Sequence, residues 1–134
     1  MQALHPASTI HFLFITDETG MGAAFALLKS SLVAHPANHV SLVYHSPAEP
    51  PVFQRELAIL SRHFPTQFIP YYETGQPTEL TFVPQETLEA ILNTNTREEL
   101  RILIYGTDEF MTSVREQLLF LNVEKKAIKL HFLR

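Results

Sequence analysis

Five short β-prone apolar runs alternate with four stretches whose apolar residues recur at helical spacing. That alternation restricts the chain to helices packed on a mostly parallel sheet. Ile10-His11-Phe12-Leu13-Phe14-Ile15 is nearly all apolar, as a central strand covered on both faces requires. Val40-Ser41-Leu42-Val43-Tyr44, Gln67-Phe68-Ile69-Pro70-Tyr71-Tyr72 and Leu100-Arg101-Ile102-Leu103-Ile104-Tyr105 predict the next three strands. Ile128-Lys129-Leu130-His131-Phe132 alternates cleanly, which predicts a fifth strand with one wetter face. Between them lie the predicted helical stripes. Ala23 to Ala34 carries Phe25, Leu28 and Leu32, and Phe53, Leu57, Leu60 and Phe64 follow on a second helix. A third runs from about Gln85 to Leu92, and Met111, Val114, Leu118 and Leu121 mark a fourth. Pro36 and Pro65 end the first two, because the residue before a proline is pushed out of the helical region.

Pro70 cannot donate to a sheet ladder, so the third strand belongs at an edge. The polar stretch from Glu73 to Thr81 makes the third connection the longest, long enough to carry the chain back past the first strand. With the fifth strand as the other edge, right-handed crossovers give a three-layer α/β/α, Rossmann-like domain. Its five-stranded parallel sheet has the order 3-2-1-4-5. The winding then reverses between the first and fourth strands, and ligand clefts form at such a reversal. Two glycine-bearing turns lie there: Asp17-Glu18-Thr19-Gly20-Met21-Gly22 and Tyr105-Gly106-Thr107-Asp108.

At 134 residues the chain is one domain, residues 1–134, since domains most often run to about 100–150 residues. Without cysteine there is no disulfide, no thiolate metal ligand and no thiol nucleophile. The first residues lack the basic start and apolar stretch of a secretory signal, which leads us to expect a cytoplasmic protein. A net charge of −4 with scattered Lys and Arg argues against nucleic acid as a partner. No run approaches the ~20 apolar residues of a membrane span. No serine or threonine sits in a nucleophile elbow, which argues against a hydrolase. The seven histidines offer no metal-site spacing on a helix.

Gly20 and Gly106 permit close approach of backbone to a pyrophosphate, or simply tight packing between elements. Asp17, Glu18, Asp108 and Glu109 read mainly as complements to helix N-termini, with divalent-cation ligation as the other use. Either way they oppose phosphate: a carboxylate about 5–8 Å from a phosphate costs roughly 1–2 kcal/mol at an intermediate effective dielectric. Weak nucleotide binding is the expectation. Neither His45-Ser46 nor Glu73-Thr74 supplies a cation for a 2′-phosphate, so NADH is favoured over NADPH.

The chain resembles the C-terminal pyridine-nucleotide-binding domain of the ferredoxin–NADP reductase-like superfamily over roughly residues 9 to 133. Thr19-Gly20-Met21 stands where that family reads Thr-Gly-Ile in its phosphate turn. Tyr105-Gly106-Thr107-Asp108-Glu109-Phe110-Met111 is similar to the family's Cys-Gly-Pro-x-x-Met, with one extra residue before the methionine. The ending Leu119-Phe120-Leu121-Asn122-Val123 to Ile128 to Phe132 is similar to its last helix, Gly-Val turn and final strand. In wording, Asp17-Glu18-Thr19 is closer still to the siderophore-interacting branch, whose members reduce ferric chelates. The chain departs from the family at Tyr105 (a cysteine there), at Ala23 (a proline there) and before Phe132, where no glutamate stands.

The resemblance implies that Asp17, Glu18, Thr19, Gly20 and Met21 form a pyrophosphate turn. It implies that Gly106, Thr107 and Asp108 border the nicotinamide ribose, and that Phe132 covers a flavin ring. It also implies a nicotinamide-nucleotide module with no catalytic residue of its own, acting with a flavin domain that holds FAD on another chain. The alternative is a non-catalytic scaffold that kept the fold and lost the cofactor. In either case exposed apolar surface at Phe132, Phe110 and Met111 is expected to drive partner binding or self-association.

Overall fold

The structure, a computed structural model, describes residues 9–34, 37–46, 51–73, 82–95 and 99–131. Its strands are β1 (Ile10–Asp17), β2 (His39–His45), β3 (Phe68–Glu73), β4 (Glu99–Tyr105) and β5 (Ile128–His131). Its helices are α1 (Glu18–Ala34), α2 (Gln54–His63), α3 (Gln85–Asn93) and α4 (Asp108–Phe120), and a short 3₁₀ turn, Lys125–Ala127, leads into β5. Every strand pair is parallel and the order is β3-β2-β1-β4-β5. The sequence-based order is therefore the observed one, with proline-bearing β3 at one edge and short β5 at the other.

Alternation along the central strands divides the core in two. Phe14, Leu42, Tyr44, Leu103 and Tyr105 point to α1 and α2, where Met21, Ala24, Leu28, Leu32, Leu57 and Leu60 cover them. Leu13, Ile15, Val43, Ile102 and Ile104 point the other way, under Leu88 and Ile91 of α3 and Phe110, Met111, Val114 and Leu118 of α4. Burial of each such side chain contributes roughly 1.5–3 kcal/mol, so the two cores fix the sheet between its helices. A polar link crosses the base of the sheet: the His11 ring is hydrogen-bonded to Ser41 at 2.9 Å and to Asn95 at 3.2 Å.

Local differences from the sequence reading have identifiable causes. Helix α1 begins at Glu18 rather than at Ala23, so the first glycine turn is in fact its first helical turn. Phe53 is the residue before α2 rather than part of it; it takes a left-handed φ of 70° and packs against Phe25 with ring centroids 5.3 Å apart. Phe110 and Met111, expected on an exposed apolar surface, are core residues at 1% and 0% exposure. They lie one turn into α4, and the helical period carries them inward beneath the exposed Asp108 and Glu109. At the end of α4, Asn122 occupies the glycine-like position. With φ of 68° it donates to the Leu119 carbonyl at 3.0 Å, while Val123 donates to that of Leu118 at 3.1 Å. Such paired bonds satisfy the last carbonyls of a helix, and asparagine tolerates the left-handed turn they need.

Candidate functional site at the reversal of strand order

At the carboxyl ends of β1 and β4 the chain enters α1 and α4, so two helix N-termini meet where the sheet's winding reverses. Free N–H groups and the positive end of the helix dipole favour an anion at each. Asp17 supplies one. Its Oδ1 accepts from Gly20 N at 3.0 Å, which caps α1, and its Oδ2 accepts from Thr107 N at 3.1 Å, 90 residues further along. One carboxylate therefore joins both turns. Thr107 in turn caps α4, its side-chain oxygen accepting from Phe110 N at 3.2 Å.

The two glycines serve this junction. A Cβ built on Gly20 would stand 2.6 Å from Gly106 N and from the Tyr105 carbonyl carbon. One on Gly106 would stand 2.6–2.7 Å from the Asp17 carboxylate atoms, and φ of 145° there disfavours any side chain. The turns thus touch backbone to backbone, with the Asp17 carboxylate laid against Gly106. Gly22, with nothing within 4 Å of a built Cβ, takes no part in this packing.

The remaining candidate residues distribute around that junction. Thr19, Thr107 and Asp108 are exposed at the rim, and Met21 is fully buried, its side chain belonging to the core. The Glu18 Oε1 accepts from the Ser46 hydroxyl at 2.7 Å, tying the start of α1 to the exit of β2. At the exit of β3, Glu73 accepts from the Thr87 hydroxyl at 2.9 Å. Phe132 lies outside the described residues. Asp17, Glu18, Glu73, Asp108 and Glu109 stand at the strand exits or the helix starts that follow them, while the described segments at the strand exits of β1, β2 and β4 contribute no lysine or arginine. Among the described residues no group of three or more His, Asp or Glu is arranged to hold a metal ion.

Two groups that sequence reasoning did not select line the same edge. His45 stands beside Asp17 on one side and Glu73 on the other in the sheet register. Its ring is 6% exposed, stacked on Phe110 at 6.1 Å and edge-on to Phe82 at 5.6 Å, with Nδ1 lacking a hydrogen-bond partner. Burial pushes its pKa below the ordinary value, against the opposing pull of Asp17, Glu73 and Glu18. On the other face the Tyr44 hydroxyl is buried without a partner and burial raises its pKa to about 12. The one available signal is positional: they are the last two residues of β2, at the end of the sheet that carries the glycine turns. Tyr105 is itself core, stacked on His131 at 4.2 Å with the planes 12° apart.

No protein-family profile and no curated protein sequence matches the chain. Solved structures do. Human Ncb5or, in a structure of its CS and b5R domains in the NAD+ form, is similar with a TM-score of 0.78 at 17% identity, over 92% of this chain and 37% of that one. The flavohemoglobin of Malassezia yamatoensis, with bound FAD and heme, is similar at 0.70 and 14% identity, over 92% of this chain and 31% of that one. An H286L mutant of the ferredoxin-NADP+ reductase of Plasmodium falciparum is similar at 0.70 and 17% identity, over 91% of this chain and 52% of that one. This chain thus spans 31% to 52% of these proteins' length, and the part it matches shares its fold: five parallel strands in the order 3-2-1-4-5 between helices.

Proposed function

We propose that this chain is the nicotinamide-nucleotide-binding module of a flavin-dependent oxidoreductase, acting with a flavin domain on another chain. The observation that carries the reading is the meeting of two helix N-termini across backbone-to-backbone glycines at the reversal of strand order. A dinucleotide lies across such a crevice, its diphosphate at the helix N-termini. Thr19 and the backbone of Gly20 and Met21 would then meet the diphosphate, and Gly106, Thr107 and Asp108 would border the nicotinamide ribose. NADH would supply a hydride to the partner's flavin. NADPH fits poorly, because an added phosphate would meet Glu18, Glu73 and no cation among the described residues of the crevice. The Asp17-Glu18-Thr19 wording supports a ferric chelate as the final acceptor, and Phe132 as a cover for the flavin ring extends the same resemblance.

The acidic rim and Tyr105 in the place of the family cysteine support a second reading, a scaffold that has lost the cofactor. Thermal unfolding of the chain in rising NADH and NADPH separates the two. A ligand that binds only the folded state raises the transition temperature by mass action. The module reading predicts stabilisation by millimolar NADH and less by NADPH. No stabilisation by either sinks it in favour of the scaffold.

A further inference from the structure

We propose that the Asp17 side chain is a built-in plug of this crevice, and that a diphosphate enters only when the carboxylate swings out. The inference rests on the nicotinamide-module reading and adds what controls that site. The two oxygens of the carboxylate occupy Gly20 N and Thr107 N, the donors that an anion bridging the turns would need. The group also fills the space. Its Cγ and both oxygens lie 2.6–2.7 Å from where a Cβ on Gly106 would stand, so the carboxylate rests against the bare α-carbon. Gly20 is pressed against Gly106 N and the Tyr105 backbone at 2.6 Å by the same measure, which leaves no second gap between the turns.

A plug differs from mere charge repulsion. Repulsion by Asp17 would vanish once its charge is removed, whereas a plug persists as long as a planar group of the same size stays on Gly106. Rotation about the Asp17 side chain opens the gap without moving backbone, since the residue is only half buried and faces the rim. Glu18 does not take its place, because its Oε1 is turned toward Ser46.

Three variants test this with NADH and with inorganic pyrophosphate as probes, each bound to protein whose fold is checked by circular dichroism. Asp17→Ala frees the donors and the gap. Asp17→Ser does the same while keeping a good helix cap for Gly20 N, which guards against loss of folding. Asp17→Asn removes the charge and keeps the planar shape and one acceptor: its amide oxygen still takes one of the two N–H groups, while its NH2, a donor, leaves the other without its bond. The plug predicts that Asp17→Ala and Asp17→Ser bind both probes at least about tenfold more tightly than the wild type, with a clearly smaller gain for Asp17→Asn. If Asp17→Asn gains as much as Asp17→Ala, repulsion rather than a plug was at work. If the wild type binds NADH as tightly as folded Asp17→Ser, the plug fails and the module reading survives. Tighter pyrophosphate binding with no NADH binding in any variant keeps the plug and ends the module reading. Folded Asp17→Ala and Asp17→Ser that bind neither probe better overturn the plug.

Discussion

Two glycines two residues apart in α1 should respond oppositely to alanine. At Gly22 a Cβ would meet nothing within 4 Å, and the position is an exposed one in a helix interior. Alanine there should stabilise by roughly 0.5–1 kcal/mol, the ordinary difference in helix propensity. At Gly20 the same atom would stand 2.6 Å from backbone atoms of the β4–α4 turn, which cannot rotate aside. Overpacking of this kind costs typically about 1–3 kcal/mol. Relief by shifting the turn would lengthen the 3.1 Å bond from Thr107 N to Asp17, a charge-assisted contact worth about 1.5–3 kcal/mol. Gly20→Ala should therefore destabilise by about 2–4 kcal/mol net of its small helix gain. With about 3–5 °C per kcal/mol for a domain of this size, thermal unfolding should place Gly22→Ala a few degrees above the wild type and Gly20→Ala on the order of 10 °C below it. Equal shifts of the same sign in both variants would refute the claim that the turns pack backbone to backbone.

Other outcomes follow from single residues. Asn122→Gly should raise stability by about 0.5–1 kcal/mol and Asn122→Ala should lower it by about 1 kcal/mol in denaturant unfolding, because φ of 68° favours glycine and penalises alanine. For His45, burial depresses the folded pKa below the ordinary 6.5, so its contribution is complete above that value and is lost as pH falls through it toward the folded pKa. Unfolding temperatures measured between about pH 7 and 5.5 should fall less steeply in His45→Phe than in the wild type, and parallel slopes would assign the loss elsewhere. Phe110→Ala, which empties a fully buried site between His45 and Phe82, should cost about 3–5 kcal/mol; a loss under about 1 kcal/mol would restore the exposed surface expected from the sequence.

The topology was legible because it depends on few and local signals. Alternation of strand and helix patterns required parallel pairing, Pro70 named an edge, and the long third connection located the reversal. What escaped was non-local. Glycines at 20 and 22 read as a turn, yet the helix already runs through them, because Asp17 caps it and because Gly20 must lie against Gly106 and Tyr105. No spacing rule announces a carboxylate that reaches 90 residues along the chain to Thr107 N. Phe110 and Met111 go the other way: Met111 lies on the apolar stripe of α4, and the helical period by itself places it in the core whatever partner the domain has. Nothing local in the sequence marks His45 as buried, since its burial depends on Phe82 arriving from a distant segment.

The central claim is that a nicotinamide dinucleotide binds across the β1–α1 and β4–α4 turns. Backbone amide resonances of the ¹⁵N-labelled chain, followed while NADH is added to millimolar concentration, test it most directly. The account predicts saturable shifts concentrated at Gly20, Gly106, Thr107 and Asp108, with the Thr107 amide among the largest because it must exchange Asp17 for the ligand. Spectra unchanged at millimolar NADH, or shifts gathered at a surface remote from these residues, would contradict it.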